Sequence, residues 1–216
     1  MKIIEYGNNW IIEDQLDNEL LNDIKFFLDK NLEFLYDFSD DKENYSTTGD
    51  NAKQYWIKKR GKKSFHYKSK EYEDIERRYR KGIHGRLKAA SILKTDDIEL
   101  HQDTAWTVIG EEGSYHTIHR HSEGTMDGVS VVSYLNVPDS KDFSNSIFLV
   151  LHADPSSPFV NQGVPSIHHI EPEVGKVLIF PHYIPHGTYP QTKGIRQTFN
   201  IDYRIGMKSK SSLNYV

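Results

Sequence analysis

After about Asp96 the chain breaks into short β-branched and aromatic segments with turn residues between them, and this texture limits the fold more than any other feature. The segments are residues 98–100, 105–109, 115–119, 129–137, 147–152, 166–170, 176–180 and 197–204. Seven or eight strands in about 110 residues can bury an apolar face only by stacking or curling, so they predict a sandwich or barrel. Upstream, Leu16, Leu20, Ile24, Phe27 and Leu28 recur at helical spacing and predict an amphipathic helix over about 15–31, with Asp14 as its N-cap. Residues 37–54 are rich in Asp, Ser, Thr and Asn and predict a loop. Tyr72, Ile75, Tyr79, Ile83 and Leu87 predict a second helix, which Gly82 and Gly85 weaken. No internal repeat appears. The expectation is one domain over residues 1–216: a helical and irregular part at 1–95, a β core at 96–206 and a tail at 207–216.

Composition narrows the function. A chain of 216 residues with 37% hydrophobic and 27% charged side chains suits one substantial core in an ordinary soluble protein. No apolar run reaches the roughly 18 residues of a membrane span, so no membrane partner is expected. Met1-Lys2-Ile3-Ile4-Glu5 carries charge and lacks an apolar stretch, so no signal peptide is expected. There is no cysteine, which excludes disulfides, thiolate zinc sites, iron–sulfur clusters and cysteine nucleophiles. That is compatible with a reducing cytoplasm, where the chain is expected to work. A net charge of -4 gives no general attraction to polyanions. Two basic runs, Lys58-Lys59-Arg60-Gly61-Lys62-Lys63 and Arg77-Arg78-Tyr79-Arg80-Lys81, read first as solvated faces and leave nucleic acid open as a partner.

Without thiols, imidazoles are the main route to a transition metal. Of the 11 histidines, His116, His119 and His121 fall within six positions. His119-Arg120-His121 is an H-x-H pair, and residues i and i+2 of a strand share a face, so both rings can reach one ion. A third ligand must come from elsewhere. His186, in Pro185-His186-Gly187 just after the 176–180 segment, is the best candidate, and His116 competes. Any single histidine here has a plain alternative as a hydrogen-bonded core or surface residue. His182 and the His168-His169 pair are read that way, and Trp106 is read as packing.

The ordered motifs carry a resemblance. Gly113-Ser114-Tyr115-His116-Thr117-Ile118-His119-Arg120-His121 is followed by Val131-Val132-Ser133-Tyr134-Leu135-Asn136-Val137-Pro138. Next come Pro172-Glu173-Val174-Gly175-Lys176-Val177-Leu178-Ile179-Phe180-Pro181, then His186-Gly187, then Arg196-Gln197-Thr198. In order and spacing this resembles the 2-oxoglutarate/Fe(II) oxygenases, in the prolyl-hydroxylase-like branch of bacteria and phages, over roughly residues 100–205. That family shows H-x-D, or H-x-H in one bacterial and phage subgroup. A Tyr-Leu-Asn strand, a strand leading to the distal histidine and an Arg-x-Ser/Thr follow.

The resemblance implies a mainly β chain with α decoration: a double-stranded β-helix, or jelly roll, flanked by N-terminal helices. It implies Fe(II) held by His119, His121 and His186. His121 stands where many members have Asp, so Glu123 or Asp127 is an alternative source of the usual carboxylate. It further implies that Arg196 pairs with the distal carboxylate of 2-oxoglutarate, with Thr198 and Tyr134 assisting. The implied reaction couples oxidative decarboxylation of 2-oxoglutarate by O2 to C–H oxidation, as in a hydroxylase, on a small-molecule or peptidyl substrate that the sequence does not name. Two other readings stand beside it. One is a cupin-like three-histidine metalloenzyme without 2-oxoglutarate, for which Arg196 has no purpose. The other is a catalytically inert binding or structural module on the same fold.

Overall fold

A computed structural model describes residues 1–7, 9–37, 51–59, 62–63, 68–94, 97–121, 128–139, 144–151 and 166–207. Two sheets face each other. The larger contains β1 (Lys2–Tyr6), β2 (Asn9–Gln15), β3 (Tyr36–Asp37), β4 (Ala52–Lys59), β5 (Lys62–Lys63), β6 (Ile98–Gly110), β8 (Gly128–Asn136), β11 (Lys176–Pro181) and β13 (Arg196–Met207). Its order is β1-β2-β11-β8-β13-β6-β4-β3, with β5 beside β4. The smaller sheet contains β7 (His116–His119), β9 (Ile147–Leu151), β10 (Ser166–Ile170) and β12 (His186–Thr188), in the order β10-β9-β12-β7. This is a jelly roll whose two sheets do not close on each other.

Two helices, α1 (Asn18–Asn31) and α2 (Lys70–Ala89), cover the outer face of the larger sheet. Tyr72, Ile75, Tyr79, Ile83 and Leu87 of α2 are all buried. They pack with Ile24, Phe27 and Leu28 of α1 against Val129, Val131, Phe199, Ile201 and Tyr203 of the sheet. Each such side chain contributes about 1.5–3 kcal/mol when fully buried, which outweighs about 1 kcal/mol for each of Gly82 and Gly85. Period-2 alternation then divides the central strands. Odd-numbered residues 129, 131 and 135 of β8 and 199, 201 and 203 of β13 meet the helices. Their even-numbered neighbours face the space between the sheets. There Tyr134, Leu178 and Phe180 pack with Ile147, Leu149 and Leu151 of the smaller sheet.

The N-terminal part differs from expectation. Residues 1–95 are more than helix and loop, since they add a hairpin, β1-β2, to one flank of the larger sheet and β3, β4 and β5 to the other. β2 is ordered by pairing with β11, a partner about 160 positions away that no local pattern reveals. The first helix begins at Asn18, not 15. Its cap is Asp17, whose carboxylate accepts from the backbone N–H of Glu19 at 3.0 Å and of Leu20 at 3.2 Å. Asp14 instead lies in β2 and binds Arg86 at 2.7 Å. The expected loop over 37–54 gives way to β4 at Ala52, and residues 38–50 of it lie outside the described set. The expected segments 98–100 and 105–109 form one strand, β6, paired along its length with β13.

Candidate metal centre

The smaller sheet brings two of the three histidines together by register. His186 of β12 stands opposite His119 of β7 in an antiparallel pair, and their rings lie 4.4 Å apart. His121, just past the end of β7, turns its ring 4.9 Å from that of His186 and 5.2 Å from that of His119. One potential ligand atom from each of these residues lies within 4.8 Å of the others. Two nitrogens at about 2.1 Å from one ion are at most about 4.2 Å apart, so the set closes on a single ion with shifts of roughly half an ångström.

Hydrogen bonds decide which nitrogens remain. Nδ1 of His119 donates to the Thr117 carbonyl at 2.8 Å, and Nδ1 of His186 donates to the Ile184 carbonyl at 3.0 Å. Nδ1 of His121 donates to the Asp202 carboxylate, at 2.8 Å to Oδ1 and 2.9 Å to Oδ2. Each ring is thus held in the tautomer that leaves Nε2 as the unprotonated donor. Pro181 and Pro185 flank the turn between β11 and β12 and limit its backbone freedom ahead of His186.

At two of the three rings the electrostatics suit a cation. Burial, with His121 as the nearest charge, holds His119 down to about 4. Burial and the other two rings hold His186 well below its ordinary value. Both rings are therefore neutral near pH 7. For His121, burial lowers the value, but the Asp202 charge and hydrogen bond more than offset it and raise the result. Asp202 shows the converse. Burial raises it, and the charges and hydrogen bonds around it, His121 first, bring it below its ordinary value. Thr104 donates to Asp202 Oδ2 at 2.9 Å, and Nε2 of His182 lies 3.7 Å from Oδ1.

Asp202 is the residue that sequence reasoning missed. The signal was available: Arg196, Thr198 and Asp202 have the same parity in one strand, so a face assigned to the first two carries the third. That inner row is Arg196, Thr198, Asn200 and Asp202, all buried. It runs from the guanidinium at one end to the His121 carboxylate partner at the other. Arg196 is 4% exposed, and it donates to the Asn145 carbonyl at 3.0 Å and to Thr188 Oγ1 at 3.2 Å. No carboxylate pairs with it among the described residues. Burial pulls its value down, and the Tyr134 phenol draws it partly back. Tyr134 is buried at 1% exposure, and burial pushes its phenol up to about 12 despite Arg196. In the sheet Tyr134 lies opposite Thr198, whose Oγ1 accepts from Asn200 Nδ2 at 3.0 Å.

The remaining candidates separate. His116 is not in the convergent group, although its ring lies 5.7 Å from that of His119. Burial and His119 hold it down to about 3. His182 is buried outside the group, and His169 stacks on Tyr189. Trp106 is buried against Trp56, Ala52 and Val108, with its ring 5.6 Å from that of His121. Glu123 and Asp127 lie outside the described residues.

Residues 104–202 match the family described as "Putative 2OG-Fe(II) oxygenase". This stretch of the chain is similar to that family. No curated protein sequence matches the chain. Among solved structures, a prolyl-4-hydroxylase from Pseudomonas putida is 15% identical, with 92% of each chain covered and a TM-score of 0.55. A prolyl hydroxylase from Trichoplax adhaerens, solved with a hypoxia inducible factor peptide fragment, is 16% identical with a TM-score of 0.58, covering 90% of this chain and 82% of that one. HygX from Streptomyces hygroscopicus, solved with nickel, 2-oxoglutarate and hygromycin B, is 13% identical with a TM-score of 0.56, covering 92% and 83%. At such identities these likenesses bear on the fold.

Proposed function

We propose that this chain is a non-haem Fe(II), 2-oxoglutarate-dependent oxygenase that hydroxylates a small-molecule or peptidyl substrate. The single observation that carries the reading is a pairing of two features. Three imidazoles converge with Nε2 left as donor, and a buried guanidinium without a carboxylate partner among the described residues lies on the neighbouring inner face. A buried, unpaired cation is costly, and the cost is offset when it receives an anion. A dicarboxylic keto acid fits both features, with one end at the metal and the other at Arg196. A cupin-like enzyme has no use for that guanidinium.

His119, His121 and His186 would hold the iron through Nε2, and the dicarboxylic keto acid would be the group the chain presents to it. When bound, Fe(II) supplies the oxidative decarboxylation of 2-oxoglutarate and the oxidation of a substrate C–H bond. The chain supplies position and environment. Arg196 forms parallel hydrogen bonds to the far carboxylate. Thr198 keeps its hydroxyl proton for that carboxylate because Asn200 satisfies its lone pair, and the Tyr134 hydroxyl adds to the same recess. Tyr134, Phe180 and Ile184, all buried beside His186 or Arg196, exclude water. Trp106 and Trp56, stacked with centroids 5.1 Å apart, form the wall on the other side of His121, where substrate meets the site.

The test is equilibrium binding of 2-oxoglutarate to the chain with and without Ni(II) as a redox-inert stand-in. The expected result is metal-dependent binding that Arg196→Ala abolishes or strongly weakens. Metal-loaded protein that does not bind 2-oxoglutarate overturns the oxygenase reading in favour of a three-histidine site of another kind. Succinate release under air, absent in His186→Ala, is the corresponding functional readout.

A further inference from the structure

We propose that Asp202 is the carboxylate of this metal site moved one imidazole outward: a positioning residue that fixes His121 and supplies, through its ring, the negative charge that a three-histidine ligand set lacks. The inference rests on the metal reading of His119, His121 and His186.

The geometry separates Asp202 from the acceptors behind the other two rings. Behind His119 and His186 stand neutral backbone carbonyls, of Thr117 and Ile184. Behind His121 stands a full carboxylate, with both oxygens within 2.9 Å of Nδ1. A carboxylate that close requires a proton between the two atoms, and it belongs on Nδ1, leaving Nε2 for the ion. Ser130 Oγ, 3.0 Å from the same Nδ1, is then a weaker second acceptor. The carboxylate is itself held. Thr104 donates to Oδ2 at 2.9 Å, and Asp202 is buried in the central strand β13 between β6 and β8. Its freedom is that of the sheet, so the His121 ring inherits a fixed direction. Only His121 lies beyond its strand, since β7 ends at His119, and it is the ligand candidate most in need of an external anchor. A doubly charged ion in three neutral rings leaves two positive charges in a buried site, and one carboxylate at an imidazole's distance removes half of that imbalance.

The test is a double-mutant cycle in Ni(II) affinity, measured by calorimetry on the full chain: wild type, Asp202→Asn, His121→Asp, and both together. The expected loss for Asp202→Asn is about 10–100-fold, the usual effect of removing a carboxylate behind a metal-binding histidine. In the His121→Asp background the same change should cost nothing or improve affinity. There residue 121 supplies its own charge, and Asp202 becomes a second buried anion facing it. A role confined to folding predicts the same loss in both backgrounds, and that result overturns the proposal. So does unchanged affinity in Asp202→Asn. Wild-type protein that fails to bind Ni(II) overturns the three-histidine metal reading itself. If Asp202→Asn does not fold, Thr104→Val removes the support of the carboxylate alone. It should lower Ni(II) affinity by less than Asp202→Asn does but measurably, and an unchanged value overturns the proposal.

Discussion

His186 and His119 face each other across the β12–β7 pair, with ring centroids 4.4 Å apart. Because both are placed by backbone register, removing either ring should not be compensated by a neighbour. His186→Ala is expected to abolish measurable Ni(II) or Fe(II) binding while the chain stays folded. Metal titration followed by calorimetry, with thermal melting as control, checks this. His116→Ala, outside the convergent group, should retain metal binding.

Between the strands of these two histidines the backbone comes unusually close. A Cβ at Gly187 would lie 2.7 Å from Phe148 Cζ and 2.8 Å from the His116 carbonyl oxygen. The carbonyl belongs to the paired strand and cannot move without breaking the register. Gly187→Ala should therefore destabilise the fold by about 1–3 kcal/mol and also weaken Ni(II) binding by forcing β12 from β7. Chemical denaturation and the metal titration read the two effects. A normal metal affinity in a destabilised variant would show that β12–β7 spacing does not set the ligand geometry.

The polar row of β13 makes a prediction about the co-substrate. Arg196→Ala should weaken 2-oxoglutarate binding by roughly 2–5 kcal/mol, as expected for truncating one partner of a buried charge pair, and should leave Ni(II) affinity within a few-fold. Arg196→Lys should recover only part of the loss, because a single ammonium cannot make the paired contacts of a guanidinium. Calorimetry with metal-loaded protein compares both variants with the wild type.

Much of this candidate site was legible in the sequence. The order H-x-H, Tyr-Leu-Asn, Pro-Glu-Val-Gly, His-Gly, Arg-Gln-Thr points to the family because each piece is local and the spacing between pieces is kept. The α2 face was legible because five apolar residues share a 3.6-residue period. What was not legible depends on long-range pairing. The β1-β2 hairpin reads as weak alternation until β11 supplies its partner. β12 is only three residues long, too short for any pattern. Asp202 looked like a strand residue without a role because its significance comes from His121, 81 positions away.

Protonation gives a further handle. Half-buried His116 is held down to about 3 in the folded chain by desolvation and the neighbouring His119, against an ordinary 6.5. Between these values the unfolded chain holds more protons, so the contribution of this residue to stability is present above about 6.5 and is lost as pH falls. Metal-free protein should lose more stability between pH 7 and 5 than His116→Gln does, by on the order of 1 kcal/mol. Parallel urea melts at the two pH values check the difference, and identical pH dependence would contradict it.

The central claim is that three side chains from β7, its C-terminal edge and β12 grip one ion. Anomalous diffraction from crystals grown with Ni(II) tests it most directly. The account predicts a single strong peak at about 2.1 Å from Nε2 of each of His119, His121 and His186. A peak bound through other residues, or none within reach of His186, would contradict it.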